Sequence, residues 1–200
     1  MPQNVNKIEL FTEIRNTKQT KLNMKILAFA ASNSKNSINK KLVTYTANLV
    51  PNAQVEVLDL NDYEMPIYSV DREQETGLPA LAHDFYNKIT DADFVMISFA
   101  EYNGCYTSAF KNIFDWTSRV NSQTFQNKPM LLLSAATGPR GGATVLEIAK
   151  NRFPFQGGNI VASMAFPSFK ANFDDEKGII NEELKAEIVA IVEQIEKISF

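Results

Sequence analysis

Apolar residues fall along this chain in short unbroken runs, separated by stretches in which they recur every three or four positions. The runs are residues 25–30, 94–99, 128–134 and about 158–165, each the length of a strand buried on both faces. Residues 54–60 form a further strand, with Val55 and Val57 on one face and a polar exit at Asp59. Between these, Ile38, Leu42, Tyr45 and Leu49 recur at spacings of four, three and four, which predicts a helix ended by Pro51 and Asn52. Leu78, Leu81, Phe85 and Ile89 mark a second helix. A third, about 107–116, carries Phe110, Ile113, Phe114 and Thr117 toward the core, and Val145, Leu146, Ala149 and Phe153 mark a fourth. Leu184, Ile188, Ile191, Ile195 and Ile198 define the last, with Asn181 as its N-cap. Residues 61–77, which include Met65, Pro66, Ile67 and Tyr68 and then several acids, show neither period and read as a long loop.

Five strands alternating with helices predict an α/β fold, a parallel sheet covered on both faces. Right-handed crossovers leave few topologies, and one five-stranded domain suits the flavodoxin-like three-layer sandwich with strand order 2-1-3-4-5. Its switch point lies between the first and third strands, and ligands bind in the crevice beyond the strands' carboxyl ends. Residues 24–200 form this domain, and the polar residues 1–23, with one short apolar patch at 8–14, read as an N-terminal extension. Met24 stands directly before the first strand. The extension is therefore either upstream of an alternative start or an arm that packs on a neighbouring subunit.

Two hundred residues with 44% hydrophobic and 22% charged content are enough for one sizeable core. A formal net charge of -3 argues against a surface built to neutralise nucleic-acid phosphates. Cys105 is the sole cysteine, which excludes an intramolecular disulfide or a multi-cysteine metal site and suits a reducing cytoplasm. No run approaches the roughly 18 apolar residues of a membrane span. The expectation is a cytoplasmic protein without nucleic-acid or membrane partners.

The candidate chemistry lies in two loops that the topology sets side by side. Residues 32–37 follow the first strand and offer the hydroxyls of Ser32, Ser34 and Ser37 with backbone N–H groups at a helix start, a setting for a phosphate monoester. The stretch has neither the nucleoside-triphosphate pattern G-x-x-x-x-G-K-[ST] nor the dinucleotide pattern G-x-G-x-x-G. Helix capping alone accounts for the same residues equally well. The second loop, Glu101, Tyr102, Asn103, Gly104 and Cys105, follows the third strand and could floor a flat ligand.

Together these stretches resemble the NADPH-dependent FMN reductase family of flavodoxin-like quinone, azo-dye and chromate reductases. The family's G-S-x-R-x-x-S-x-N lies over residues 31–39, and its P-E-Y-N-G-S over residues 100–105. Its K-N-x-x-D-W matches Lys111, Asn112, Asp115 and Trp116, and a glycine-rich loop follows the fourth strand at 134–142. The resemblance implies that Ser32, Ser34, Ser37 and Asn39 hold the FMN phosphate. It also implies that Glu101, Tyr102, Asn103 and Gly104 border the flavin ring, while Ser134, Gly138 and Gly141 close its far edge. Four positions depart from the pattern: Ala31 for glycine, Ser34 for arginine, Ala100 for proline and Cys105 for serine. The lost arginine bears on phosphate and nicotinamide binding, which Lys35 compensates in part.

The activity so implied passes hydride from NADPH or NADH through FMN to a small acceptor such as a quinone, an azo or nitro compound, a metal oxyanion or free flavin. One shared face predicts ping-pong kinetics, and the family forms homodimers or homotetramers. A non-catalytic electron carrier of the flavodoxin type and a flavin-free scaffold or regulatory domain are the competing functions. No catalytic side chain and no metal ligand stands out, so the chemistry would be mostly the cofactor's. Cys105 reads as a serine-sized replacement rather than a redox thiol, and His83 as a solvated residue. Glu101 serves either as a general base or to orient its loop, and Trp116 as core with some spill onto an interface.

Overall fold

The structure, a computed structural model, describes residues 24–198. The expectations for residues 1–23, an alternative start or a packing arm, lie outside the described residues. The first half comprises β1 (Lys25–Ala31), α1 (Ile38–Asn48), β2 (Gln54–Leu58), α2 (Val70–Thr76), α3 (Ala80–Asp91) and β3 (Phe94–Phe99). The second comprises α4 (Ser108–Val120), β4 (Pro129–Ala135), α5 (Ala143–Arg152), β5 (Asn159–Phe166), α6 (Phe169–Asn172), β6 (Phe173–Asp174), β7 (Gly178–Ile179) and α7 (Glu182–Ile195).

The five long strands form one sheet in the order β2-β1-β3-β4-β5, and each neighbouring pair is parallel. This is the flavodoxin-like order expected from the apolar runs. Leu27, Phe29, Val95, Ile97 and Leu132 pack with Phe85 of α3, Phe110 of α4 and Val145 of α5. Ile26, Ala28, Met96, Leu131 and Leu133 pack on the opposite face with Leu42 of α1 and Ile188 of α7. Successive side chains thus enter different cores, and a strand apolar at every position is the result. The edge strand β2 shows the alternation that a half-covered strand requires.

Register brings the carboxyl ends level. Ala31 lies opposite Phe99, and Phe99 opposite Ser134. The loops after β1, β3 and β4 therefore open at one end of the sheet, where the topology reverses. His83 is exposed, as its helix position suggested, and Trp116 is fully buried.

Two stretches differ from expectation. The supposed loop 61–77 contains a 3-10 turn at Leu60–Tyr63 and the helix α2. That helix is capped by Ser69, whose side chain accepts from the Arg72 N–H, yet it buries no residue and so leaves no apolar period to read. Beyond β5, the short elements α6, β6 and β7 are too brief for any periodicity to mark them. The second strand also ends earlier than expected, at Leu58, because Asp59 turns the chain by accepting from the Asn61 N–H at 3.0 Å.

Candidate functional site

The loop after β1 is shaped by its own hydroxyls. Ser32 Oγ accepts from the Ser34 N–H at 3.2 Å, and the Ser37 N–H returns to the Ser34 carbonyl at 3.2 Å. Ser37 is the N-cap of α1, its Oγ accepting from the Lys40 N–H at 3.2 Å. Ile38 and Asn39, the other first-turn residues, have backbone N–H groups with no partner among the described residues. The hydroxyl of exposed Ser34 is likewise unengaged among them, whereas Ser32 and Ser37 are buried. An anion at this opening would meet two N–H donors, a free hydroxyl and the positive end of an 11-residue helix.

The side chain of Asn39 points elsewhere. It is buried, with Oδ1 accepting from Ser98 Oγ at 2.7 Å and from the Ala135 N–H at 2.8 Å. Its Nδ2 donates to the Ala135 carbonyl at 3.1 Å. Placed by resemblance on the phosphate, this side chain instead braces the start of α1 against the ends of β3 and β4.

The loop after β3 is a miniature hairpin. Tyr102 and Cys105 exchange both backbone hydrogen bonds at 3.1 Å, and the residues between them, Asn103 and Gly104, have φ of 54° and 74°. Two positive φ values in a two-residue loop are the signature of a type I′ turn, for which Asn-Gly is the favoured pair. The turn holds the backbone of Asn103 and Gly104 out at the crevice, beside exposed Tyr102 and Cys105. Thr107 locks the base of this hairpin to the neighbouring strand, donating to the Ala31 carbonyl at 3.0 Å while capping α4 through the Phe110 N–H at 3.2 Å.

Glu101 reaches across to the third loop. Its Oε2 accepts from the Val145 N–H at 3.0 Å, so a carboxylate from the loop after β3 caps α5, whose own N-cap is Gly142 with no side chain to offer. Its position is that of a loop-orienting group. From the end of β4, Ser134 Oγ donates to the Gly141 carbonyl of the third loop at 2.8 Å. Gly141 has φ of 61°, and a Cβ there would come within 2.7 Å of the Phe166 backbone. Gly138 has open space where a Cβ would stand, so nothing there requires a glycine. Ser134 and Gly141 therefore shape the crevice from beneath.

The structure brings all three loops to one crevice at the switch point, with an anion-suited opening at one end and a backbone turn at the other. Residues 24–172 match the NADPH-dependent FMN reductase family. The chain belongs to that family. It is 32% identical over 121 residues to a quinone reductase of Escherichia coli (strain K12), covering 60% of this chain and 64% of that protein. It is 31% identical over 122 residues to a 2-hydroxy-1,4-benzoquinone reductase of a Burkholderia species, with coverage of 60% and 64%. The chain thus spans under two thirds of these relatives' length. Among solved structures, FerB, a flavoenzyme NAD(P)H:(acceptor) oxidoreductase from Paracoccus denitrificans, superposes with a TM-score of 0.70 at 22% identity, over 86% of this chain and 94% of that one. The fold expectation and the family resemblance both hold.

Ser98 and Thr107 were not visible as site residues in the sequence. Their partners lie 59 and 76 positions away, and no local spacing signals such pairs. Among the described residues, no helix is long and apolar enough to cross a membrane.

Proposed function

We propose that this chain is an FMN-dependent oxidoreductase that passes reducing equivalents from NADPH or NADH to a small-molecule acceptor. The observation that carries the reading is the unpartnered first turn of α1 at the switch point, level with the outward turn at Asn103 and Gly104. The residues present fit the cofactor. Ser34 and the N–H groups of Ile38 and Asn39 would receive its phosphate, with Lys35 as the loop's cation and Ser32 and Ser37 holding the loop in shape. Glu101, Tyr102, Asn103 and Gly104 would border its ring, and Ser134, Gly138 and Gly141 would close its far edge. FMN bound there supplies the ring that accepts hydride.

The chain's own task is to bind, orient and expose. Gly104, with nothing nearer than Thr144 Cγ2 at 3.8 Å around a would-be Cβ, leaves its backbone open to close approach. One crevice would serve donor and acceptor in turn, so the kinetics should be ping-pong. The relatives' names support a quinone as acceptor. We place the protein in the cytoplasm as a homodimer or homotetramer, a setting that suits the exposed thiol of Cys105. The electron-carrier reading is disfavoured by the mild net charge of -3, since carriers dock through strongly acidic faces.

The test is the visible spectrum of the purified protein with added FMN, followed by NADPH or NADH without oxygen. Bleaching by either nucleotide supports the reductase. Bound flavin that neither nucleotide bleaches favours the carrier, and failure to bind flavin defeats the assignment.

A further inference from the structure

The segment 65–68 carries no regular structure, yet α4 straps it down. Asn112 Oδ1 accepts from the Tyr68 N–H at 2.8 Å, and Asn112 Nδ2 donates to the carbonyls of Met65 at 2.9 Å and Pro66 at 3.2 Å. Trp116 Nε1 donates to the same Pro66 carbonyl at 2.7 Å, and the Trp116 ring meets the Tyr68 ring edge-on at 5.0 Å between centroids. Arg72 takes the Ile67 carbonyl. The Tyr68 hydroxyl donates to Glu73 at 3.0 Å, and Arg119 pairs with the same carboxylate at 3.0 Å. Three consecutive carbonyls are thus held by side chains, and the strap displays one large aliphatic group, Ile67, at 78% exposure.

Isolated exposed apolar residues need no explanation. Ile67 is not isolated, because it forms the lip of a cleft of about 230 Å³ floored by Leu60, Met65 and Ile113. The cleft opens onto the functional crevice, since Asn33 of the first loop and Ser108 of the first turn of α4 complete its wall. Neither the Asn33 nor the Ser108 side chain has a hydrogen-bond partner among the described residues, so both can meet a ligand's oxygens. Glu64 is the only charged side chain among the described residues lining it. An oxyanion would find no cation there and one carboxylate. A neutral ring bearing carbonyl oxygens would find an apolar floor, a lip and two polar groups at the mouth.

We infer that this cleft seats the neutral, carbonyl-bearing ring of the electron acceptor, with Ile67 as a specificity-determining residue and Asn112 and Trp116 as positioning residues that hold it out. The inference rests on the reductase reading above. It sorts the candidate acceptors, placing quinones ahead of metal oxyanions.

The experiment uses the full chain loaded with FMN. Reduction by NAD(P)H without oxygen is measured first, then kcat and KM for 2-methyl-1,4-naphthoquinone and for ferricyanide, a hydrophilic anion. In Ile67→Ser, flavin bleaching and the ferricyanide constants should stay unchanged while kcat/KM for the naphthoquinone falls about tenfold, mainly through KM. Asn112→Ala should reproduce that fall and shift the emission of Trp116, the chain's single tryptophan, to longer wavelength as the strap lifts. Unchanged naphthoquinone kinetics in Ile67→Ser, or equal losses for both acceptors, would overturn the inference. So would dissociation of an oligomer with acceptor kinetics intact, which would make Ile67 a subunit contact. A wild-type protein that binds no FMN, or is not bleached, fails at the first step and removes the reductase reading itself, a result distinct from the others.

Discussion

Asn39 pairs with the backbone of Ala135 in both directions, its Oδ1 accepting the N–H at 2.8 Å and its Nδ2 donating to the carbonyl at 3.1 Å. A helix side chain thereby does for the end of β4 what a neighbouring strand would do. Removing it in Asn39→Ala leaves the Ser98 hydroxyl and both Ala135 groups unpaired in a buried site. The expected loss is about 3 kcal/mol of folding stability, read from urea denaturation. Asn39→Asp keeps the acceptor but loses the donor and buries a charge, and should cost at least as much. A fall in FMN affinity with stability unchanged would return this side chain to the phosphate.

The three serines of the first loop separate by what already holds them. The Ser34 hydroxyl is exposed and unengaged among the described residues, so Ser34→Ala should weaken FMN binding by about 1 to 2 kcal/mol and leave thermal stability alone. Ser37 caps α1 through the Lys40 N–H. Ser37→Ala should therefore lower stability by about 1 kcal/mol and weaken FMN binding as well. Titration of apoprotein with FMN beside a melting curve distinguishes the two. Weakened FMN binding in Ser37→Ala but not in Ser34→Ala would mean that the helix cap, and not the free hydroxyl, governs the phosphate.

The sheet was legible because β1, β3 and β4 bury both faces, which turns them into unbroken apolar runs. Helices α1, α3, α4, α5 and α7 were legible through their stripes. Helix α2 was not, since it buries nothing and is held by Glu73 reaching Tyr68 and Arg119. In the site, motif resemblance located the loops but not the division of labour within them. That Asn39 turns inward and that Ser134 donates to Gly141 depend on contacts across 96 and 7 positions. Asn112 and Trp116 were legible as a motif, while their grip on Met65 and Pro66 appears only when residues 46 to 50 apart are folded together.

The two loop glycines should respond differently to alanine. At Gly104 the φ of 74° imposes strain, but a Cβ meets only Thr144 Cγ2 at 3.8 Å, so Gly104→Ala should cost about 1 kcal/mol. At Gly141 the same strain is joined by contacts of 2.7 to 2.9 Å with the Phe166 backbone, which cannot move aside cheaply. Gly141→Ala should cost about 3 kcal/mol or more. Equal losses in denaturant titrations would show that the third loop yields more readily than this packing allows.

Glu101 links the second loop to the third by capping α5. Glu101→Gln retains an acceptor for the Val145 N–H and removes only the charge at the helix N-terminus, for an expected loss of about 0.5 kcal/mol. Glu101→Ala removes both and should cost about 1 kcal/mol. If Glu101 were instead a general base, Gln would abolish turnover as fully as Ala, so steady-state rates of the two variants separate the roles.

Acid should loosen the start of α1 from the end of β2 through Asp59. Its carboxyl is lowered from 3.8 to about 2, first by the hydrogen bond from the Lys40 ammonium and then by the Asn61 N–H. The Lys40 contact, at 2.6 Å, ties the first turn of α1 to the end of β2. A carboxyl whose folded pKa lies below its unfolded value stabilises the fold above the unfolded pKa and loses that contribution as pH falls through the folded one. The window here runs from about 4 down to about 2. Both side chains are about a third exposed, so solvent and salt weaken the pair. Asp59→Asn should therefore be slightly less stable than the parent at neutral pH, and the gap should close across that window and narrow at high ionic strength. Parallel urea titrations along a pH series test this, and a gap that persists below pH 2 would show that the Asn61 turn, not the Lys40 ion pair, is what the substitution disturbs.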